Sequence, residues 1–440
     1  MALKVVKFGG SSLADAEHFR QVASIIKADK DRRYVVPSAP GKRFSGDEKV
    51  TDMLYACYNA VRSGENFDEI YEKICDRYNG IISGLGLNYD ISGELEYVKN
   101  VIANGRSGRD YAASRGEYLN GLILAKYLGF DFIDAENVIF FKDDGTFDAE
   151  LTCQELSSEL DRHEYAVIPG FYGIMPNGTI KTFSRGGSDI TGSIVAGAAD
   201  ATLYENWTDV SGFMTADPRI VENPVSIRTV TYHELRELAY MGATVLHDEA
   251  IFPVRAASIP INIKNTNDPD APGTMIVDST DGYDKDRIIS GIAGKCGFSV
   301  ITIEAERMNT TIGFSRRVLE VLEDFGINVE HIPTGIDTMG VVVHTEELEG
   351  CREKLFNSLN RAVKPNVLTI EDGLALIAVV GRGMVNAKGT AARVFNSVSD
   401  AGINIRMIDQ GSSELNIILG VDEDHYKDTI RAIYNEFYGK

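Results

Sequence analysis

A mainly parallel α/β domain followed by two small α+β units of one kind is the architecture that the sequence predicts. Three features point to it: short apolar runs alternating with stretches of helical period, a break into turn chemistry around residues 265–287, and an internal repeat beyond that break. At 440 residues the chain also exceeds what one ordinary core accommodates, so several compact units are expected.

The first apolar run, Leu3 to Phe8, reads as a buried strand; Ala16 to Lys27 follows with helical spacing, and Tyr34 to Pro37 is the next strand. That βαβ rhythm belongs to a parallel sheet covered by helices. Residues from about Asp52 to Leu128 read as mainly helical. Asp131 to Ile133, Tyr165 to Ile168 and Ala201 to Glu205 are further strands, the last preceded by an Ala/Gly-rich helix from Ser188 to Ala199. The turn-forming stretch Asn265 to Gly273 and the polar stretch Asp278 to Arg287 mark the main boundary, giving a first domain at 1–283.

Beyond it Met308, Gly313, Val318, Gly326 and Asn328 recur as Met384, Gly389, Val394, Gly402 and Asn404, at one offset of 76 (308 to 384, 328 to 404). Each copy reads as strand, turn, amphipathic helix, Gly-Ile-Asn turn and strand, which places units at 284–365 and 366–440. The second is a candidate to share a strand with the segment just after the first domain. A duplicated unit without a ligand would read the same, but a pair appended to an enzyme favours regulation.

Composition narrows the partners. With 44% hydrophobic and 25% charged residues the chain is an ordinary globular protein. Its 44 basic against 65 acidic residues give a net charge of -21, which repels nucleic acid and anionic lipid, so neither is an expected partner. Anionic ligands must then be received by local cations. The five cysteines, Cys57, Cys75, Cys153, Cys296 and Cys351, are scattered and never form C-x-x-C, and they read as reduced thiols. No apolar signal core follows Met1 and no uncharged stretch is long enough for a bilayer; a cytoplasmic location is expected. None of the seven histidines sits in H-E-x-x-H, and no protein-bound metal is expected.

Three motifs carry chemistry. Lys7-Phe8-Gly9-Gly10-Ser11-Ser12 stands where a strand ends and a helix begins: glycines admit a phosphate to backbone N–H groups and Lys7 adds a mobile cation. Alone it reads equally as a tight turn with a solvated lysine, and no Walker A pattern occurs. Ser184-Arg185-Gly186-Gly187-Ser188-Asp189 repeats the logic with an arginine suited to a carboxylate, although Asp189 is equally a helix cap. Trp207-Thr208-Asp209-Val210-Ser211-Gly212, with Thr215-Ala216-Asp217-Pro218-Arg219, follows a strand at the edge where open α/β sheets bind ligands. Two anion-receiving turns fit a reaction between a phosphate compound and a carboxylate.

Those motifs, with Ser114-Arg115-Gly116-Glu117 and Gly242-Ala243-Thr244-Val245-Leu246-His247, together resemble the ordered motif set of the aspartate kinases over essentially the whole chain. The terminal repeats resemble ACT domains, Gln410-Gly411-Ser412-Ser413-Glu414 included. The resemblance implies a three-layer αβα amino acid kinase fold with ferredoxin-like ACT domains. It implies transfer of the ATP γ-phosphoryl group to L-aspartate, giving 4-phospho-L-aspartate and ADP, the first step towards lysine, threonine and methionine. It further implies Mg2+, feedback by lysine and/or threonine, and a homodimer or homotetramer through the ACT domains. No homoserine dehydrogenase domain follows the repeats, so the chain resembles the monofunctional type.

By the same resemblance Lys7 and Asp189 are catalytic, Asp189 orienting Lys7 or the amino acid. Lys7, Phe8, Gly9, Gly10, Ser11, Thr208, Asp209, Met214, Arg219, Thr244 and Val245 bind ATP. Thr51, Glu117, Arg185, Gly186, Gly187 and Ser188 bind aspartate, Arg185 holding its α-carboxylate and Glu117 its ammonium. Met308, Thr311, Asn328, Glu330 and Thr334 occupy effector positions, or else build the contact between paired ACT units. Two departures stand out: Thr244 replaces a common lysine, and Asp248-Glu249 a common Pro-Arg. The stretch Pro40 to Lys49 is longer than usual before Thr51 and is expected as a mobile flap. A kinase for glutamate or a related acid, and a catalytically dead amino-acid sensor, are the rivals; a substrate panel and an ADP-release assay separate them.

Overall fold

The computed structural model describes residues 2–105, 107–184, 186–242, 252–279 and 287–439. The chain forms two compact units, one from residues 2–213, 226–232 and 252–279, the other from 214–225, 233–242 and 287–439.

In the first unit, β1 (Lys4–Phe8) leads through α1 (Ala16–Lys27) to β2 (Arg32–Pro37). The Asp15 carboxylate caps α1 by accepting from the N–H groups of Glu17 and His18. Four helices follow, α2 (Val50–Ser63), α3 (Asp68–Leu85), α4 (Ser92–Ala103) and α5 (Arg109–Leu128). Then come β3 (Asp131–Phe132), α6 (Ala149–Leu160), β4 (Ala166–Val167), the hairpin β5 (Tyr172–Ile174) and β6 (Ile180–Thr182), and α7 (Gly187–Ala198). Next are β7 (Leu203–Thr208), β8 (Thr229–Thr231) and, after α8 (Tyr232–Tyr240), which from residue 233 on belongs to the second unit, α9 (Phe252–Ala256), β9 (Ile261–Asn265) and β10 (Thr274–Val277).

Eight of these strands make one sheet, ordered β3-β4-β2-β1-β7-β9-β10-β8. It is parallel from β3 to β9, and β10 runs antiparallel to β9. Val5, Val6 and Phe8 of the central strand are fully buried, which is why that strand is legible as one unbroken apolar run. The turn chemistry at 265–273, read as the start of a boundary, instead closes the β9–β10 hairpin inside this sheet.

The second unit runs β11 (Gly291–Glu304), α10 (Phe314–Asp324), β12 (Thr338–His344), α11 (Arg352–Val363) and β13 (Val367–Val380). It continues with α12 (Thr390–Asp400), β14 (Met407–Asp409), β15 (Asn416–Asp422) and α13 (Tyr426–Tyr438). All five strands form one antiparallel sheet, β12-β11-β13-β15-β14. The repeat offset of 76 maps β11 onto β13 end to end (291 to 367, 304 to 380). It also carries Gly297, at φ 91°, onto Gly373, at φ 81°, where each long strand breaks step.

Each long strand therefore serves both modules. Residues 291–295 of β11 pair with 376–380 of β13 beside β15, while 298–304 pair with β12 and with 367–374. Two cores result, one of Ile301, Val318, Leu322, Val341 and Leu355, the other of Ile292, Ile377, Val394, Leu419 and Ile433. The second core also takes Ala216, Ile220 and Val221, because segment 214–225 is laced into this unit. Ile292 N–H donates to Thr215 O at 2.7 Å, and Arg431 Nε to Ile220 O at 2.9 Å. The single first domain expected at 1–283 is thus interrupted twice, by 214–225 and by 233–242. No helix among the described residues is long and apolar enough to cross a membrane.

Candidate active site

The C-terminal ends of β1, β2, β4 and β7 bring the first motifs together. Gly9 N–H donates to Trp207 O at 3.0 Å, Ser38 N–H to Phe8 O at 3.0 Å, and Gly170 N–H to Pro37 O at 3.2 Å. After Phe8 the chain enters a 3-10 turn, Gly10–Leu13, and the α-helix begins only at Ala16. Gly41 N–H donates to Gly10 O at 2.8 Å. A Cβ on Gly10 would lie 2.8 Å from Ala39 O, and one on Gly41 2.6 Å from Gly10 C, so the two backbones meet only because both residues are glycine.

Lys7, on the strand at the middle of the sheet, is 7% exposed. Its Nζ lies 2.6 Å from Asp189 Oδ1 and donates to Asn206 Oδ1 at 3.4 Å. Asn206 Nδ2 in turn donates to Asp189 Oδ1 at 2.8 Å, closing a triangle. Asn206 stands opposite Lys7 in the parallel register of β1 and β7, on the same face. It lies outside the motifs, and with Glu205 just before it in the strand its polarity is no signal of its own. Asp189 is in the first turn of α7, which Gly186 enters at φ 74°.

Around that helix start the packing is tight. A Cβ on Gly187 would meet Phe171 Cδ2 at 2.4 Å, and one on Gly170 would meet Ser188 Cβ at 2.8 Å. Ser188 itself is buried, and Tyr204 Oη donates to Asp189 O at 3.1 Å. Arg185 lies outside the described residues, as do Thr244, Val245 and the departure at Asp248-Glu249.

Glu117, on the third turn of α5, is buried beside Ala39, whose N–H its carboxylate accepts. Burial pushes its carboxyl up to about 8, outweighing that hydrogen bond and the Arg115 charge. Thr51 opens α2 close by, its Oγ1 3.6 Å from where a Cβ on Gly116 would stand. Thr208 ends β7 and Asp209 follows it, exposed and accepting from Thr208 Oγ1 at 3.3 Å. Met214 and Arg219 belong to the second unit. There Met214 lines an open pocket of about 400 Å³ with Pro218, Glu222, Asn223 and Pro224, and the exposed Arg219 pairs with Asp217 at 2.7 Å.

The stretch expected as a mobile flap is fastened. Arg77, reaching from α3, donates to Gly41 O at 2.8 Å, Asp47 Oδ2 at 2.7 Å and Glu48 O at 3.3 Å. Asp47 also takes both ends of the Arg43 guanidinium, at 2.8 and 2.9 Å.

Of the effector positions, Met308 is buried in a module core. Thr311 Oγ1 donates to Arg307 O, Thr334 Oγ1 to Ile332 O, and Asn328 Nδ2 to Glu347. The Glu330 carboxylate takes the Tyr240 hydroxyl and faces His344 at 3.4 Å. Among the described residues no cluster of three or more His, Cys, Asp or Glu side chains could hold a metal.

Comparison with known proteins bears on both units. Residues 2–265 match the model of the amino acid kinase family, and residues 377–437 that of an ACT domain. Aspartokinase 3 of Bacillus subtilis is 38% identical over 454 residues, spanning 99% of each chain. The crystal structure of the Clostridium acetobutylicum aspartate kinase superposes at a TM-score of 0.92 with 49% identity, covering 99% of this chain and 100% of that one. Escherichia coli aspartokinase III, 26% identical, aligns over 99% of this chain at TM-scores of 0.74 in complex with aspartate and ADP, and 0.73 with lysine and aspartate. It is covered over 100% and 99% of its own chain in those two structures.

Proposed function

The chain belongs to the amino acid kinase family, among its aspartate kinases, and from that premise we propose how its own residues carry the transfer. The γ-phosphoryl group of ATP passes to the side-chain carboxylate of L-aspartate, giving 4-phospho-L-aspartate and ADP. A carboxylate is already ionised at neutral pH, its ordinary pKa being about 4, so no general base is needed. What the step needs is alignment of two anions and neutralisation of the moving charge.

The observation that carries the reading is the Lys7 ammonium, held by Asp189 and Asn206 at the end of the central strand and beside the Gly9-Gly10 turn. Lys7 neutralises the transferring phosphoryl group, while Gly9, Gly10 and Ser11 offer backbone donors to the phosphates. Asp189 and Asn206 keep Lys7 aimed. Glu117 takes the substrate ammonium, with Thr51, Ser188 and the Gly186-Gly187 turn completing the pocket and Arg185 gripping the α-carboxylate. Thr208 and Asp209 face the nucleotide, and the exposed Asp209 carboxylate is the hard oxygen that suits Mg2+ carried in by ATP. The ACT pair receives an amino-acid effector, lysine and/or threonine, and joins chains into a dimer or tetramer. The exposed Ile312 and Ile336, 98% and 70% accessible, support such an association.

The test is kinetic. Lys7→Ala is expected to lower turnover by orders of magnitude with aspartate binding largely retained, and turnover like that of the unaltered chain defeats the assignment. Arg185→Ala is expected to weaken aspartate far more than ATP; the opposite pattern refutes its role.

A further inference from the structure

Four buried polar atoms on α5 lack a hydrogen-bond partner among the described residues, Tyr111 Oη, Arg115 Nη2, Glu117 Oε2 and Asn120 Oδ1, and the last two are the carboxylate and amide oxygens, which need a donor. Glu117 is 5% exposed and Asn120 0%. Three residues apart, they lie on one face of the helix. Both side chains are also tied to the same stretch of backbone: Asn120 Nδ2 donates to Ser38 O at 2.6 Å, and the Glu117 carboxylate accepts from Ala39 N–H. The bond to Ser38 fixes the amide, since a carbonyl accepts only a donor; the nitrogen must face Ser38 and the oxygen must face elsewhere.

The helix cannot slide to relieve these oxygens. Gly116 brings it so close to the end of β2 that a Cβ there would lie 2.8 Å from that of Ala39. Tyr78 Oη donates to Gly116 O at 2.8 Å from the side of α3. Orphaned buried acceptors are rare in folded proteins because each forfeits its bonds to water. A pair of them, on a rigid support at the ligand-binding edge of the sheet, calls for a ligand that brings the donors. One acceptor is an acid and the other a neutral carbonyl, so the matching group is cationic and carries more than one N–H. A primary ammonium, with three donors and no acceptor, has that inventory.

We propose that Asn120 is a second ligand of the substrate's α-ammonium group, its Oδ1 and the Glu117 carboxylate each accepting one of the three N–H bonds. The proposal rests on the reading of Glu117 given above and adds a residue outside every motif that pointed to the site. It also gives the site a means of choosing amino acids over plain dicarboxylates. A substrate without an amino group leaves both oxygens unpaired, and a site built around a polar partner rejects the analogue that lacks it.

The experiment compares aspartate with succinate, the same dicarboxylate without the amino group, in the full-length chain. Asn120→Leu keeps the volume and removes the acceptor; Asn120→Ala serves if the leucine variant fails to fold, as judged by its melting curve. The KM for aspartate is expected to rise by about tenfold or more, the size of one hydrogen bond to a charged group. The inhibition constant of succinate and the KM for ATP are expected to stay within about twofold. Equal weakening of aspartate and succinate overturns the proposal, since it marks a packing role. Unchanged aspartate binding overturns it too, since a water molecule alone then satisfies the oxygen. Absence of aspartate phosphorylation in the unaltered chain would bring down the functional reading itself, and this assignment with it.

Discussion

Glu117 shows how burial alone gives one side chain a pH-dependent task. With its carboxyl at about 8, the side chain is mostly neutral at pH 7 while the pocket is empty. Arrival of an ammonium favours the carboxylate, so binding releases a proton. The sign follows from which form binds: below pH 8 only the ionised fraction receives the ammonium, and affinity for aspartate falls by roughly tenfold per pH unit; above pH 8 it is level. Calorimetry near pH 7, in buffers of different ionisation enthalpy, is expected to show net proton release. Glu117→Gln is expected to remove the pH dependence together with most of the affinity. A KM for aspartate that is flat from pH 6 to 8 in the unaltered chain would sink this account.

One loop and one helix illustrate what sequence makes legible at the scale of elements. Residues 40–49 read as a mobile flap from polar, turn-forming composition, yet Arg77, thirty residues further along, makes them part of the framework. The strands β1, β2 and β7 were legible because both their faces are buried. The hairpin β5–β6 and the short strands β8 to β10 were not: three to five residues with no sustained period leave no signal. Lys7, Asp189 and Glu117 sit in motifs, whereas Asn206 follows another polar residue, Glu205, and Asn120 stands alone between Leu119 and Gly121, so tertiary contacts alone reveal their partners.

Arg77 and Asp47 are both buried, so breaking the pair leaves a carboxylate that Arg43 compensates only in part. Arg77→Met is expected to destabilise the first unit by about 3 kcal/mol. Because Gly41 bears on Gly10, it is also expected to raise the KM for ATP more than that for aspartate. The Arg43 and Arg77 guanidiniums hold the Asp47 carboxyl below its ordinary range. The stability that Asp47 contributes is therefore present above the ordinary carboxylate pKa and is lost as the pH falls below it. Melting curves at pH 7 and pH 2.5 check the stability claims: a variant as stable as the unaltered chain at pH 7 would leave the loop without this anchor.

At the scale of the molecule the repeat was legible because identical spacings survive divergence, but the membership of segments 214–225 and 233–242 was not. They lie in sequence between strands of the kinase sheet, yet they pack within the unit that carries the ACT modules. Glu234 of α8, fully buried, accepts from Ser290 and from Arg382 Nη1 at 3.2 Å, and Glu237 accepts from Asn416 at 2.6 Å. The backbone therefore passes from unit to unit several times, through the connections to β7, β8 and β9. An effector signal that uses these covalent connections is expected to need α8 anchored in the second unit. Lysine and threonine, titrated singly and together, are expected to inhibit the unaltered chain. Arg382→Met removes the ion pair with the buried Glu234 carboxylate, at a cost of about 3 kcal/mol to the second unit. The variant is expected to keep its turnover in the absence of effector and to lose most of the inhibition. Inhibition constants identical to those of the unaltered chain would show that α8 carries none of the signal.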